Sequence, residues 1–186
     1  PTERNLAVSG SAQQSSLAYS DEGPKNANDY RFDGCSAHDN GDCHSYSGIL
    51  SRTLVQSPNN PQWWQIDLLN KYSLSKVNIW KPTENVATYN DFGKLCIIIS
   101  DNQLPDSLEV TRTGDVCTIT GNTSNGAVIS VIQPVMSSAK NPIDIILPSG
   151  TQGRWVRVQT GTDGASVASA EIEVYGIGTP VANPTP

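Results

Sequence analysis

Short apolar runs of period two recur along the chain. "WWQIDL" (63–68), "KVNIW" (76–80), "KLCIIIS" (94–100), "NPIDIIL" (141–147), "RWVRVQT" (154–160) and "AEIEVYG" (170–176) are rich in Val and Ile and bounded by Gly, Pro, Asn or Asp. No window sustains an apolar repeat of 3.6 between helix caps, apart from one turn near Asn26-Ala27-Asn28-Asp29-Tyr30. The pattern predicts an all-β chain of roughly six to nine strands, folded as a sandwich or jelly roll whose sheets hide their apolar faces against each other. In the first run, alternation sets Trp63, Gln65 and Asp67 on one face and Trp64, Ile66 and Leu68 on the other. Two adjacent tryptophans would suit a ligand platform, but a small sandwich needs large aromatics to fill it. The expectation for Trp63, Trp64 and Trp155 is therefore packing.

The length of 186 residues suits one domain. Residues 177–186, "IGTPVANPTP", change character to small residues and three prolines without charge, which reads as a semi-rigid linker behind a domain at 1–176. Such a linker suggests a further module beyond it. Twelve Lys+Arg against eighteen Asp+Glu, a net charge of -6 and no basic run leave no footprint for nucleic acid. No apolar stretch approaches the roughly 20 residues that span a bilayer. The opening "PTERNLAVSG" has no charged and apolar leader, so any signal peptide is expected to have been removed.

Four cysteines without a CxxC pair point to disulfides rather than zinc, and disulfides point to an extracytoplasmic address. Cys35 and Cys43 share a polar loop, while Cys96 and Cys117 lie at the ends of what read as neighbouring strands. Proximity favours 35–43 and 96–117 among the three possible connectivities. Nucleophile-elbow, zinc-protease, phosphate-loop and dinucleotide motifs are all missing, while a carboxylate pair for glycoside cleavage would leave no such motif among the many Asp and Glu.

Several stretches together resemble discoidin-like domains: "NLAVSGSAQQSS" (5–16), "PKNAND" (24–29), "PQWWQIDLLNKYSLSKVNIW" (61–80), "GRWVRVQ" (153–159) and "AEIEVYG", in that order. This group includes fucose-binding F-type lectins, coagulation-factor C-type modules and family 32 carbohydrate-binding modules. The resemblance covers roughly residues 5 to 176. It implies an eight-stranded antiparallel β-sandwich of jelly-roll (galactose-binding-like) topology, sugar bound by loops at one end, and a structural Ca2+. Carried over residue by residue, the calcium set is the carboxylates of Asp29 and Glu171 and the carbonyls of Asn26, Arg31 and Ala170, completed by Asp42 or Ser36. Such hard oxygen ligands suit calcium. The Gly that usually follows the Asp is replaced by Tyr30, and Asp33 before Gly34 is an alternative ligand.

The sugar motif of the fucose binders is broken. In "IWKPTENVATYNDFGKL" (79–95), Pro82 stands where an Arg belongs, and the cysteine pair that touches the fucose methyl group is missing. Fucose specificity therefore does not follow from the resemblance. The candidates left for stacking and hydrogen bonding a sugar are the aromatics Tyr46, Trp80, Tyr89 and Phe92 with the polar His38, His44, Arg52, Lys81, Glu84, Asp91 and Lys94. A long insertion from Ser45 to Gln62 adjoins them.

Taken with the linker, these features imply a non-catalytic, monomeric carbohydrate-binding module of a secreted, bacterial polysaccharide-degrading enzyme. It would bind a poly- or oligosaccharide and be linked to a C-terminal catalytic domain. The alternatives are a stand-alone F-type-like lectin, a small β-jelly-roll lyase or hydrolase, and a spacer whose sugar site has decayed.

Overall fold

The computed structural model describes residues 2–32, 34–35, 48–49, 51–53, 62–82, 95–113, 116–119, 128–132, 141–160 and 167–180. Its strands are β1 (Glu3–Asn5), β2 (Ser11–Gln14), β3 (Gly34–Cys35), β4 (Gly48–Ile49), β5 (Ser51–Arg52), β6 (Trp63–Trp80), β7 (Leu95–Ser100), β8 (Val110–Thr113), β9 (Val116–Ile119), β10 (Val128–Ile132), β11 (Ile143–Ile146), β12 (Gln152–Thr160), β13 (Ala168–Ser169) and β14 (Glu171–Ile177). Among the described residues helix is limited to two 3-10 turns, Ala7–Ser9 and Pro24–Ala27. The second is the turn expected from the sequence, shifted towards Pro24, whose fixed φ suits the first helical position.

Two runs that read as separate strands are one. β6 continues for 18 residues. Residues 63–73 pair with β2 and β12, and residues 74–80 with β11 and β14. Leu69, at φ 68°, lies in the irregularity of the β6–β12 pairing between Asp67 and Tyr72, and β6 passes to the other layer beyond it, between Ser73 and Leu74. The layers are β1-β14-β6-β11 and β2-β6-β12-β7-β10, antiparallel throughout and joined through β6 into eight strands. This is the antiparallel sandwich that the alternation predicts. The terminal strand β14 runs through Ile177, one residue into the stretch read as linker.

Alternation decides what fills the sandwich. Trp64, Ile66 and Leu68 from the first half of β6 meet Val77 and Ile79 from its second half, together with Ile97, Ile99, Ile143, Ile145, Val156, Val158, Ile172 and Val174, in one buried cluster. Burial of such side chains contributes about 1.5–3 kcal/mol each. The outer face of the β7 and β12 layer is covered too. Cys96, Ile98, Leu104, Leu108 and Val110 form a second cluster with Cys117 and Ile119. The Cys96–Cys117 disulfide, with Cα atoms 6.1 Å apart, closes this cover. It joins β7 to β9, which pairs with β8, so the cysteines tie a hairpin onto a sheet face and do not link adjacent strands of one sheet. Cys43, the other half of the second expected pair, lies outside the described residues.

Both tryptophans of the pair are buried, as is Trp155. Trp64 points into the core, and its indole N–H donates to the Pro24 carbonyl at 2.8 Å. Trp63 faces the other way, beneath the Arg157 guanidinium at 4.3 Å from the ring centre. They are packing residues on opposite faces of one sheet.

Candidate functional site

The end of β6 and the start of β14 meet at one end of the sandwich. Glu171 is registered against Trp80, and the Ala170 amide donates to the Trp80 carbonyl at 2.9 Å. Beside them β5 pairs with β13, Arg52 opposite Ala168, and the Thr53 amide donates to the Val167 carbonyl at 2.9 Å. The Lys81 amide donates to the Asn141 side-chain oxygen at 2.9 Å, and the Lys81 side chain is largely buried.

The loop after Pro24 is brought to this end by three local devices. Trp64 holds the Pro24 carbonyl, Asn28 donates its side-chain amide to the Ala7 carbonyl at 3.0 Å, and Asn26 donates to the Asp21 carbonyl at 2.6 Å. Asp29 and Tyr30, next along the loop, point their main-chain amides at Glu171. The Glu171 carboxylate accepts the N–H of Asp29 at 3.0 Å and that of Tyr30 at 3.3 Å. The second bond uses Tyr30 at φ 68°, the left-handed region. Among the described residues Glu171 makes no ion pair, although its side chain is fully buried.

Burial pushes the Glu171 carboxyl up to about 8, against the two amides that favour its charge; the neighbouring charges of Asp29 and Glu173 push in the same direction as burial. Asp29 is also raised, by burial, and the Arg31 amide and guanidinium oppose the rise. That guanidinium is 3.9 Å from Asp29 and largely exposed.

A third carboxylate stands on the outward face of β14. Glu173 accepts the Trp80 indole N–H at 2.9 Å, the Asn78 amide at 3.3 Å and the Tyr175 hydroxyl at 2.8 Å. Phe32 packs on Trp80 with ring centres 4.7 Å apart. The indole is thus fixed at its edge and on its face. Sequence reasoning missed Phe32, Asn78, Glu173 and Tyr175 as parts of this region. The parity of "AEIEVYG" was the available signal, since it separates Glu171, Glu173 and Tyr175 from the core residues Ile172 and Val174.

The structure therefore gathers Asn26, Asp29, Arg31, Trp80, Lys81, Ala170 and Glu171, with the backbone of Arg52, at one end. Ser36, His38, Asp42, His44, Tyr46, Glu84, Tyr89, Asp91, Phe92 and Lys94, with Asp33, lie outside the described residues. Among the described residues no three His, Cys, Asp or Glu side chains form a metal-holding group. The donors available to a cation are two carboxylates and main-chain carbonyls, and the side-chain oxygen of Asn28 in the same loop is buried with no hydrogen-bond partner. Oxygen donors of this kind suit a hard divalent cation such as calcium, whose charge would favour the ionised form of Glu171 that burial disfavours.

No protein-family model and no curated protein matches the chain. Solved structures do. A fucose-binding module of Streptococcus pneumoniae is 24% identical with a TM-score of 0.62, over 94% of this chain and 98% of that one. The serum fucolectin of the striped bass, Morone saxatilis, is 19% identical with a TM-score of 0.63, over 97% of this chain and 48% of that one. A family 32 carbohydrate-binding module of C. perfringens, solved with galactose, is 14% identical with a TM-score of 0.54, over 94% of this chain and 99% of that one. With β6 shared between two antiparallel layers and the Asp29 loop tied to the first residue of β14, the chain has the discoidin-like fold of these fucose-binding modules, F-type lectins and family 32 carbohydrate-binding modules.

Proposed function

We propose that this chain is a non-catalytic carbohydrate-binding module that takes sugar in the loops at the Glu171 end of a calcium-stabilised sandwich. The observation that carries the reading is the buried Glu171 beside Asp29 at that end, in a fold whose solved neighbours include modules that bind fucose and galactose. The Asp29 and Glu171 carboxylates, with carbonyls of Asn26, Arg31 and Ala170, would hold the cation, which when bound would supply positive charge that favours both ionised carboxylates.

The chain's own residues do the rest. Glu171 ties the 29–30 backbone to β14, Trp64 anchors its start at Pro24, and Phe32 and Trp80 stiffen the rim. A rim fixed in this way offers sugar a preformed surface, which lowers the ordering cost of binding. Pro82 supplies no side-chain donor, so we infer a sugar other than terminal fucose. The Cys96–Cys117 disulfide supports a secreted protein, and the Pro-rich stretch from 177 supports tethering to a catalytic domain, where a module raises the local concentration of substrate.

The test is a glycan and polysaccharide array probed with the chain in calcium and in chelator. Retention on a saccharide that falls with chelator is the expected result, and silence on every plant, algal and animal glycan in calcium overturns the reading.

A further inference from the structure

Among the described residues, two non-glycine residues adopt a positive φ, Tyr30 and Leu69, both at 68°. Both are also exposed, at 55% and 51%. Leu69 has a structural reason for its backbone, because it lies in the irregularity of the β6–β12 pairing, where the Asp67 side chain accepts its amide at 2.8 Å. Tyr30 needs its φ to aim an amide at Glu171, yet that need is met most cheaply by Gly or Asn, which enter the left-handed region with little strain. A large ring more than half in water gains too little packing to offset the strain. What the ring adds is therefore not explained by the fold, and strained positions of this kind collect at ligand contacts.

The surroundings suit one ligand chemistry. The Tyr30 amide bonds Glu171, and alternation along β14 puts Glu171, Glu173 and Tyr175 on one outward face, so Tyr30 sits at the end of that face. Lys76 sits 4.4 Å over the Tyr175 ring, and Asp144 is exposed on β11, registered against Asn78 on the same outward face. Alternation puts the partly exposed Trp80 on this face too. An exposed ring at the edge of a strand face that carries carboxylates, an ammonium and a phenol can take the C–H face of a pyranose, with vicinal hydroxyls left to the polar groups of that face.

We propose that Tyr30 is the platform of a second saccharide subsite, on the flank of the sandwich below the Glu171 end, which binds the next sugar units of a chain whose first unit occupies the loops. The inference rests on the carbohydrate-binding reading and extends it from a single sugar to an oligosaccharide.

The experiment compares wild type, Tyr30→Gly, Tyr30→Asn and Tyr30→Phe on an array carrying galactose, fucose, the disaccharide GalNAc-β-1,3-galactose, the Lewis b antigen and plant and algal polysaccharides. Gly and Asn accept the positive φ, so both variants keep the wild-type Tm and its response to calcium. The expected result is that wild type holds oligosaccharides more tightly than their monosaccharides, that Gly and Asn weaken oligosaccharide binding about tenfold with monosaccharide binding unchanged, and that Phe retains it, since the ring makes the contact. Equal oligosaccharide affinity in Tyr30→Gly and wild type overturns the subsite while leaving the carbohydrate reading intact. Silence of the wild type on the whole array overturns both.

Discussion

Arg157 and Glu171 are both buried in this sandwich, and their surroundings differ. Arg157, on the outer face of β12, is fully enclosed. Its guanidinium donates to the Gln65 side-chain oxygen at 2.9 and 2.8 Å, to the Leu104 carbonyl at 2.7 Å, to the Pro105 carbonyl at 2.9 Å and to the Gln159 side chain at 3.2 Å, and lies over Trp63. Burial drops it to about 9, with the Asp106 charge opposing the fall. Glu171 is equally enclosed, but receives two main-chain amides and is raised to about 8. Among the described residues the chain meets the arginine with five hydrogen bonds and the glutamate with two. Burial alone thus does not mark a functional charge. An incomplete shell does, because a buried charge without sufficient partners is costly to the fold unless something else binds it.

The comparison can be broken most forcefully at the arginine. Arg157→Ala strands Gln65 and the carbonyls of Leu104 and Pro105 beneath the 101–109 cover, and is expected to cost about 3–5 kcal/mol in denaturant unfolding. A loss under about 1 kcal/mol would show that the cage is dispensable.

Glu171→Gln tests the other side. It removes the ionisable carboxyl that burial disfavours and keeps the shape, so in chelator the variant should melt no lower than wild type, while the calcium-dependent rise in Tm disappears. That rise corresponds to about 2.7 kcal/mol for wild type at calcium a hundredfold above its Kd. A variant that still gains stability from calcium would place the ion elsewhere.

The smallest effect belongs to a charge of the intermediate kind, Asp67, paired with the partly exposed Arg154 through two bonds of 2.7 Å. Burial pushes its carboxyl up, but the Arg154 guanidinium outweighs it and holds the group below the usual range. The folded state therefore binds its proton less readily than the unfolded chain. The pair's stabilisation is present above the ordinary carboxylate range and is lost as pH falls through and below it. At this exposure it is about 1 kcal/mol or less. Melts of wild type and Asp67→Asn should converge at acid pH and separate towards neutrality; parallel curves would remove the pair from the stability account.

Some of the candidate site was legible only through resemblance. "PKNAND" and "AEIEVYG" suggested that Asp29 and Glu171 act together, but nothing local joins residues 142 positions apart. Glu173 and Phe32 were not singled out, since their roles depend on Trp80 arriving between them from β6. Tyr30 was noticed as a departure from a Gly, and its significance came from its backbone angle and exposure.

Period-two alternation is a property of adjacent residues, so the sequence by itself determined that the chain is β, that Trp64, Ile66 and Leu68 face inward with Ile172 and Val174, and that the tryptophan pair is packing. Alternation is silent on what lies above an outward face. Only the tertiary structure decided that the two runs of β6 form one strand serving two layers, that residues 104–110 cover the outer face of β7 and enclose Arg157, and that the Asp29 loop closes on Glu171. Each depends on segments far apart in the chain, brought together when the sheets bury their faces, and the energy that selects such contacts exists only once both partners have left water.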